Sequence, residues 1–297
     1  MVSRPVTQDG RTPRGTTPDS RRRGRRARKI IIVLVVLAGL LVAADFGLAA
    51  IAEHAVSQKA REQLKLTDDP SVTIHGFPFS TQAIGGDYRH ISIYAAGVPL
   101  QDKLRDVELT AELRDVTAPL SDLTSGNTGA IKIGKLEGQV KIKASDIARV
   151  EPLTKVENLR IEPASEDYVK TGQDKKETEP TTTANAPDED DSSAGVRISG
   201  NVQIAGQKVE IFCFAMIELD NNTIQFTPER LQFGNDKETT IVPPEVQKAL
   251  LPNFRASVDV GSLPFKVTPT AVKVESGSVT LKGEAKDVTF AGVTAGR

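Results

Sequence analysis

Seven cations, Arg21, Arg22, Arg23, Arg25, Arg26, Arg28 and Lys29, run directly into an uninterrupted apolar stretch over residues 30–44, and after Asp45 the apolar character resumes over residues 46–52. A cationic cluster followed by a lipid-soluble stretch orients a chain in a bilayer, with the cations on the cytoplasmic side. The 15 residues of 30–44 fall short of the roughly 20 that cross a hydrocarbon core. Counted through Ala52 the stretch reaches 23, enough if Asp45 lies near the outer interface. The pattern is read as a retained signal anchor in the plasma membrane. Residues 1–29 form a cytoplasmic tail, 30–52 the single span, and 53–297 an extracytoplasmic domain. A cleaved signal peptide is the alternative, because Ala50-Ile51-Ala52 has the small-residue form of a cleavage site; a buried helix is the third reading. A lipoprotein is excluded, since the only cysteine, Cys213, is far from the N-terminus.

Charge is distributed to match. Residues 1–29 hold ten cations and two acids, whereas residues 30–297 hold 28 cations and 37 acids. The basic tail is almost free of apolar residues, so it is expected to be disordered and to meet the anionic inner leaflet. It has no aromatic residues to stack on bases, and the remainder is acidic, so nucleic acid is not an expected partner. One cysteine rules out an internal disulfide framework. With no Trp and three Tyr, the chain is poor in the rings on which sugars stack.

Residues 46–66 continue helically, with Ala49, Ala52, Val56, Ala60 and Leu64 on one face. From Ser71 the period falls to two. Strands are expected over 107–113, 209–219, 223–226, 254–260, 265–267, 271–275, 278–283 and 287–290, and around Tyr88–Ala95, Ile131–Ile133 and Val140–Ile142. Short helices are expected over 119–125 and 243–251, the latter with Pro244 in its first turn. Residues 163–195 read as a disordered acidic insert. Its run Asp188, Glu189, Asp190 and Asp191 lacks the glycine and alternating spacing of a calcium loop. The insert divides the strand-rich region into parts 71–162 and 196–297. The predicted class is α+β.

The sequence carries no signature of catalysis. His54, His75 and His90 share no metal-ligand spacing, and there is no Gly-x-Ser-x-Gly or His-Glu-x-x-His. Cys213, alternating with apolar neighbours, reads as a small buried hydrophobe. No enzyme activity, cofactor or metal is expected. The sharper feature is Gly76-Phe77-Pro78-Phe79-Ser80-Thr81-Gln82, readable as a rigid turn whose rings plug the core or as an apolar gate on a glycine hinge.

That segment, continued through Ala83-Ile84-Gly85-Gly86-Asp87-Tyr88, is joined by Gly97-Val98-Pro99-Leu100, Ala118-Pro119-Leu120-Ser121-Asp122-Leu123, Leu263-Pro264-Phe265 and Gly277-Ser278-Val279. Together these blocks resemble the LmeA family, phospholipid-binding envelope proteins of actinobacteria, over about residues 45–292 without the insert. The resemblance implies a tubular-lipid-binding-like fold, in which a strongly curved antiparallel sheet wraps a long helix. It implies phospholipid binding in support of envelope lipid or glycolipid biogenesis, and supplies no catalytic residues. Read on these terms, an apolar groove is expected to be lined by Val107, Leu109, Leu113, Val209, Ile211, Ile217, Leu219, Val258 and Val260. Phe77 and Phe79 are placed near its entrance, and Ile84 is counted with the lipid-binding residues. The partners are phospholipid, the plasma membrane and envelope biosynthetic proteins. A tethered module that scaffolds envelope enzymes without holding lipid is the alternative.

Overall fold

The computed structural model describes residues 21–100, 104–127, 129, 131–151, 153–172, 192–204, 206–220, 223–234, 239–259 and 267–289. The chain divides into two compact units, one ending at Phe46 and the other beginning at Gly47. The upstream part of helix α1 (Arg21–Leu64) belongs to the first unit. Its large side chains, among them Ile30, Leu34, Val36 and Leu41, all stand exposed. A helix apolar on every side is built for a core or for lipid, and the portion Arg28–Glu62 is long and apolar enough to cross a membrane.

The second unit is α+β. After α1 come β1 (Ser71–His75), α2 (Phe79–Gly85), β2 (Asp87–Leu100), β3 (Leu104–Thr117), α3 (Leu120–Ser125), β4 (Lys132–Lys143), α4 (Ala144–Ile147) and β5 (Glu157–Pro163). There follow α5 (Glu166–Thr171), β6 (Ser193–Ile204), β7 (Gln207–Asp220), β8 (Thr223–Gly234), β9 (Thr239–Ile241), α6 (Pro244–Leu250), β10 (Ala256–Asp259), β11 (Thr268–Glu275) and β12 (Ser278–Thr289). The strands form two antiparallel sheets where one was anticipated. The first has the order β1-β2-β3-β4-β12-β11, and the second β10-β8-β7-β6-β5 with β9 beside β8.

Two expected boundaries shift. The sheets do not follow the division at the insert: β5, from before it, pairs with β6, and β11 and β12, from near the C-terminus, return to the first sheet. The insert itself is shorter than 163–195. Ser165 caps α5, its side chain accepting from the Tyr168 N–H, and residues 193–195 already belong to β6. Ordering there is driven by packing: Val169 is fully buried against Phe212, Phe214 and Met216 of β7. Residues 173–191, with the acidic run, lie outside the described residues, as do residues 1–20 of the basic tail.

The downstream part of α1 is tied to β1 at three levels. Arg61 pairs with Asp69 at 3.1 Å, Ser57 Oγ donates to the Pro70 carbonyl, and the Ile74 N–H donates to Glu53 Oε1 at 2.7 Å. The last bond satisfies a main-chain donor on an edge strand. Helix and strand therefore run antiparallel, and Ala49, Ala52 and Val56 reach the core formed by Val72, Ile74, Ile91, Leu113 and Leu136.

A crease crosses the first sheet at one level. Buried residues sit three apart, not two, in three strands: Tyr88 and Ile91, Leu113 and Val116, Ile133 and Leu136. At the same level Asp115 in β3 and Asp287 in β12 take left-handed φ values of 53° and 51°, a conformation short polar residues tolerate. They flank Gly134, where an added Cβ would come within 3.0 Å of the Asp115 Cβ. The crease keeps the apolar side chains on one face while bending the strands, a use of glycine expected of a curved sheet.

Candidate functional site

On the apolar face of the first sheet, pairing register lays side chains in rows across the strands. One row is Ile93, Ala111, Gly138 and Gly283, and the next Ala95, Leu109, Val140, Leu281 and Val272. The face is closed off at both edges. At the β1 edge it meets α1; at the other, Val272, Val274 and Val279 pack with Ile161, Ile198, Cys213 and Ile217 of the second sheet. Between those edges Ile93, Leu109, Ala111, Gly138, Val140 and Leu281 remain partly exposed. At Gly138 the floor is lowest. Among the described residues an added Cβ there would meet only the Gly283 carbonyl, at 3.9 Å, whereas the space over Gly283 is taken by Val267. A partly exposed apolar floor is able to take up hydrocarbon, at roughly 0.8 kcal/mol for each methylene it removes from water.

The structure separates the residues expected to line one groove. Val107, Leu109 and Leu113 share the apolar face of the first sheet, Val107 and Leu113 fully covered and Leu109 partly exposed. Ile211, Ile217 and Leu219 lie on the second sheet, where Ile217 and Leu219 pack into the inter-sheet core. Ile211 borders an apolar crevice with Leu153, Val156, Ile198, Cys213 and Phe226, but that crevice measures about 10 Å³. This is the room one water needs, far less than an acyl chain. The expected vacant trough in the second sheet is therefore filled by its own side chains, because both faces of β7 are covered from Ile211 to Ile217. Val209 is partly buried opposite Val202. Val258 lies in β10 opposite Ile224, and Val260 falls outside the described residues. A second, open cleft of about 320 Å³ is bordered by Gln225, Phe226, Thr227, Arg255 and Ser257.

The aromatic segment divides. Phe79 is buried in the core of the first sheet, so one ring is a plug, while Phe77 is 58% and Ile84 89% exposed. The rigid-turn reading thus fits Phe79 alone, and Phe77 and Ile84 are left on the surface. A model of the LmeA-like phospholipid-binding family matches residues 43–284, a span containing α1 from residue 43 and both sheets except the last five residues of β12. The chain belongs to this family. No curated protein and no solved structure matches it. Membership makes phospholipid the ligand class, and the matched span includes every row of the apolar floor.

A polar chain that sequence spacing did not expose lies among the same strands. His75 and His90 face each other across β1 and β2, their rings stacked with centroids 4.4 Å apart. Ser92 Oγ donates to Glu112 Oε2 at 2.6 Å and lies 2.8 Å from His75 Nε2, while His90 Nε2 lies 2.5 Å from the same carboxylate oxygen. With Ser92 giving its one proton to Glu112, His75 Nε2 is the donor to the Ser92 oxygen. The signal was the register of the β1–β2 pair, invisible until the turn is known. No group of three or more His, Cys, Asp or Glu among the described residues is placed to hold a metal.

Glu112 gives this chain a pH dependence. Burial raises its carboxyl pKa, but the hydrogen bonds from Ser92 and His90 and the adjacent imidazoles outweigh that, leaving it below its ordinary value of 4.5. A depressed native pKa contributes stability that is present above the unfolded value and lost as pH falls through the native one. Glu112→Gln is therefore expected to flatten the acid limb of stability below about pH 4.5, measured by calorimetry as a function of pH. An unchanged limb would show that the carboxylate is not coupled to folding. Cys213, by contrast, is a buried thiol pushed up to about 12 by desolvation.

Proposed function

We propose that this protein is a single-pass, plasma-membrane lipid carrier. Its N-terminus is cytoplasmic and its second unit extracytoplasmic, and it holds phospholipid acyl chains against the apolar floor of the first sheet without turning them over. The cationic cluster ahead of the apolar run supports that orientation. The family supports the ligand class. The single observation that carries the site is the partly exposed floor around Gly138, where, among the described residues, apolar rows run across four strands without full cover. From such a floor a lipid is presented or shuttled to the machinery that builds envelope lipids and glycolipids, with envelope biosynthetic proteins as partners and no cofactor required.

The test uses the full-length chain, extracted in detergent and released from it in the gas phase. Native mass spectrometry is expected to find phospholipid bound, and lipid extraction to return that phospholipid chemically intact. A lipid-free chain that also takes up none from vesicles would sink the reading, and recovery of cleaved lipid would replace it with an enzymatic one. The packed interior of the second sheet favours one other reading, a tethered scaffold for envelope enzymes. That reading predicts the lipid-free result.

A further inference from the structure

We propose that the turn between β1 and β2, residues 76–86, seats in the interface of the same bilayer that α1 enters, with Phe77 and Ile84 as the inserted side chains. The proposal rests on the anchor reading of α1. Six large apolar side chains of the second unit are exposed among the described residues: Leu48, Ile51, Phe77, Ile84, Tyr94 and Val246. Their distribution is uneven. The bonds Arg61–Asp69, Ser57–Pro70 and Glu53–Ile74 show α1 descending alongside β1 toward its C-terminal end. One further helical turn, about 5.4 Å, brings Ile51 and Leu48 to the level at which β1 gives way to Gly76 and Phe77. Leu48, Ile51 and Phe77 thus lie at one level, and Ile84 stands on the same turn as Phe77.

The turn itself suits an interface. Residues 76–86 carry no charged side chain. Its shape is held from inside: Phe79 is buried, Gln82 donates to the His75 carbonyl and accepts from the Arg89 N–H, and the Gly86 N–H closes α2 on Gln82. Phe77 and Ile84 are thereby presented on a braced platform, as interfacial helices present their apolar residues to the headgroup–acyl boundary. Covalent attachment at Gly47 supplies the proximity, so two side chains suffice where a free peripheral protein would need a larger patch.

The experiment places a nitroxide on the full-length chain in vesicles of phosphatidylcholine and phosphatidylglycerol. Thr81→Cys carries the probe within the turn, close to Ile84, and Val246→Cys and Leu37→Cys serve as references. The native thiol of Cys213 is buried and does not compete for label. At Thr81 the ratio of oxygen to nickel-chelate accessibility is expected to be on the order of tenfold above that at Val246, since a site about 5–10 Å into the boundary excludes a polar chelate. Adding Phe77→Asp and Ile84→Asp is expected to return the Thr81 ratio to the Val246 value. A water-like ratio at Thr81 with Leu37 still in hydrocarbon overturns the docking alone. A probe shielded from both reagents points to a protein partner and also overturns it. A water-exposed Leu37 overturns the anchor reading and the docking with it.

Discussion

Gly138→Leu is expected to remove bound phospholipid while leaving the protein folded. The position is suited to the test because the backbone there does not need glycine. It lies in mid-strand in β4, outside the positive-φ residues, and among the described residues an added Cβ meets only ordinary contact with the Gly283 carbonyl. Replacing glycine in a strand interior is if anything favourable to the strand. The new side chain stands on the floor between Ala111 and Gly283, the flanking members of its row. It takes the space of roughly three to four methylenes, each contributing about 0.8 kcal/mol when buried. Losing about 3 kcal/mol weakens binding by about two orders of magnitude. The measurement is a titration of the full-length chain with a fluorescent phospholipid, beside calorimetry to confirm an unchanged Tm. Unaltered affinity would remove the first sheet from consideration as the lipid site. A charged residue at Ile211 would be a poorer choice: that side chain is covered, and an unpaired charge there threatens the fold whatever the protein binds.

How far the sequence could be read depended on whether pairing or periodicity decided each feature. Strand β3 was legible because Val107, Leu109, Ala111 and Leu113 alternate with polar residues, and β7 because Ile211 through Ile217 form an unbroken apolar run with residues for both faces. Helices α3 and α6 were found within one residue from their prolines. The C-terminal strands were misread in one instructive way. The three-residue step from Ala285 to Val288 looked like the end of one strand and the start of another, yet β12 runs through it unbroken. The step is the crease, and it recurs opposite in β4 and β3, where Gly134 and Asp115 absorb it. A single sequence shows each step separately; only the register shows that they align. Sheet membership was illegible for the same reason. Nothing in residues 268–289 says that they return to pair with β4 and not with their sequence neighbours in the second sheet.

The site was half legible. Parity found the apolar faces, but parity cannot say which face is left uncovered. Helix α5, from a stretch too polar to suggest order, buries Phe212, Phe214 and Met216, and Val272 and Val274 cover Ile217 from the other side. Both faces of β7 were thereby used up, and the partly open surface remained on the first sheet. There the small residues Ala111 and Gly138 mark the floor, and their smallness carried no signal in a search for large apolar side chains.

Asp146 is expected to be the most costly single polar residue to remove, and nothing in its sequence context distinguishes it. It sits in α4, one turn past β4, with no exposed surface. Its Oδ2 accepts the main-chain N–H groups of Arg105 and Asp106, at 3.1 and 2.7 Å, and its Oδ1 accepts from Arg149. One carboxylate therefore fastens the first residues of β3 to the end of β4, strands that carry Leu109 and Val140 of the apolar floor. Asp146→Ala leaves those two donors without their acceptor, a loss of about 3 kcal/mol, or about 6–12 °C in Tm for a domain of this size. Asp146→Asn, which keeps one carbonyl oxygen, should lose about half as much. Arg149→Ala should cost under about 1 kcal/mol, because that partner is half exposed and water replaces it. Differential scanning calorimetry is the suitable probe, since the chain has no Trp to report unfolding by fluorescence. Equal Tm losses for Asp146→Ala and Arg149→Ala would show that the ion pair, and not the main-chain bonds to β3, is what Asp146 contributes.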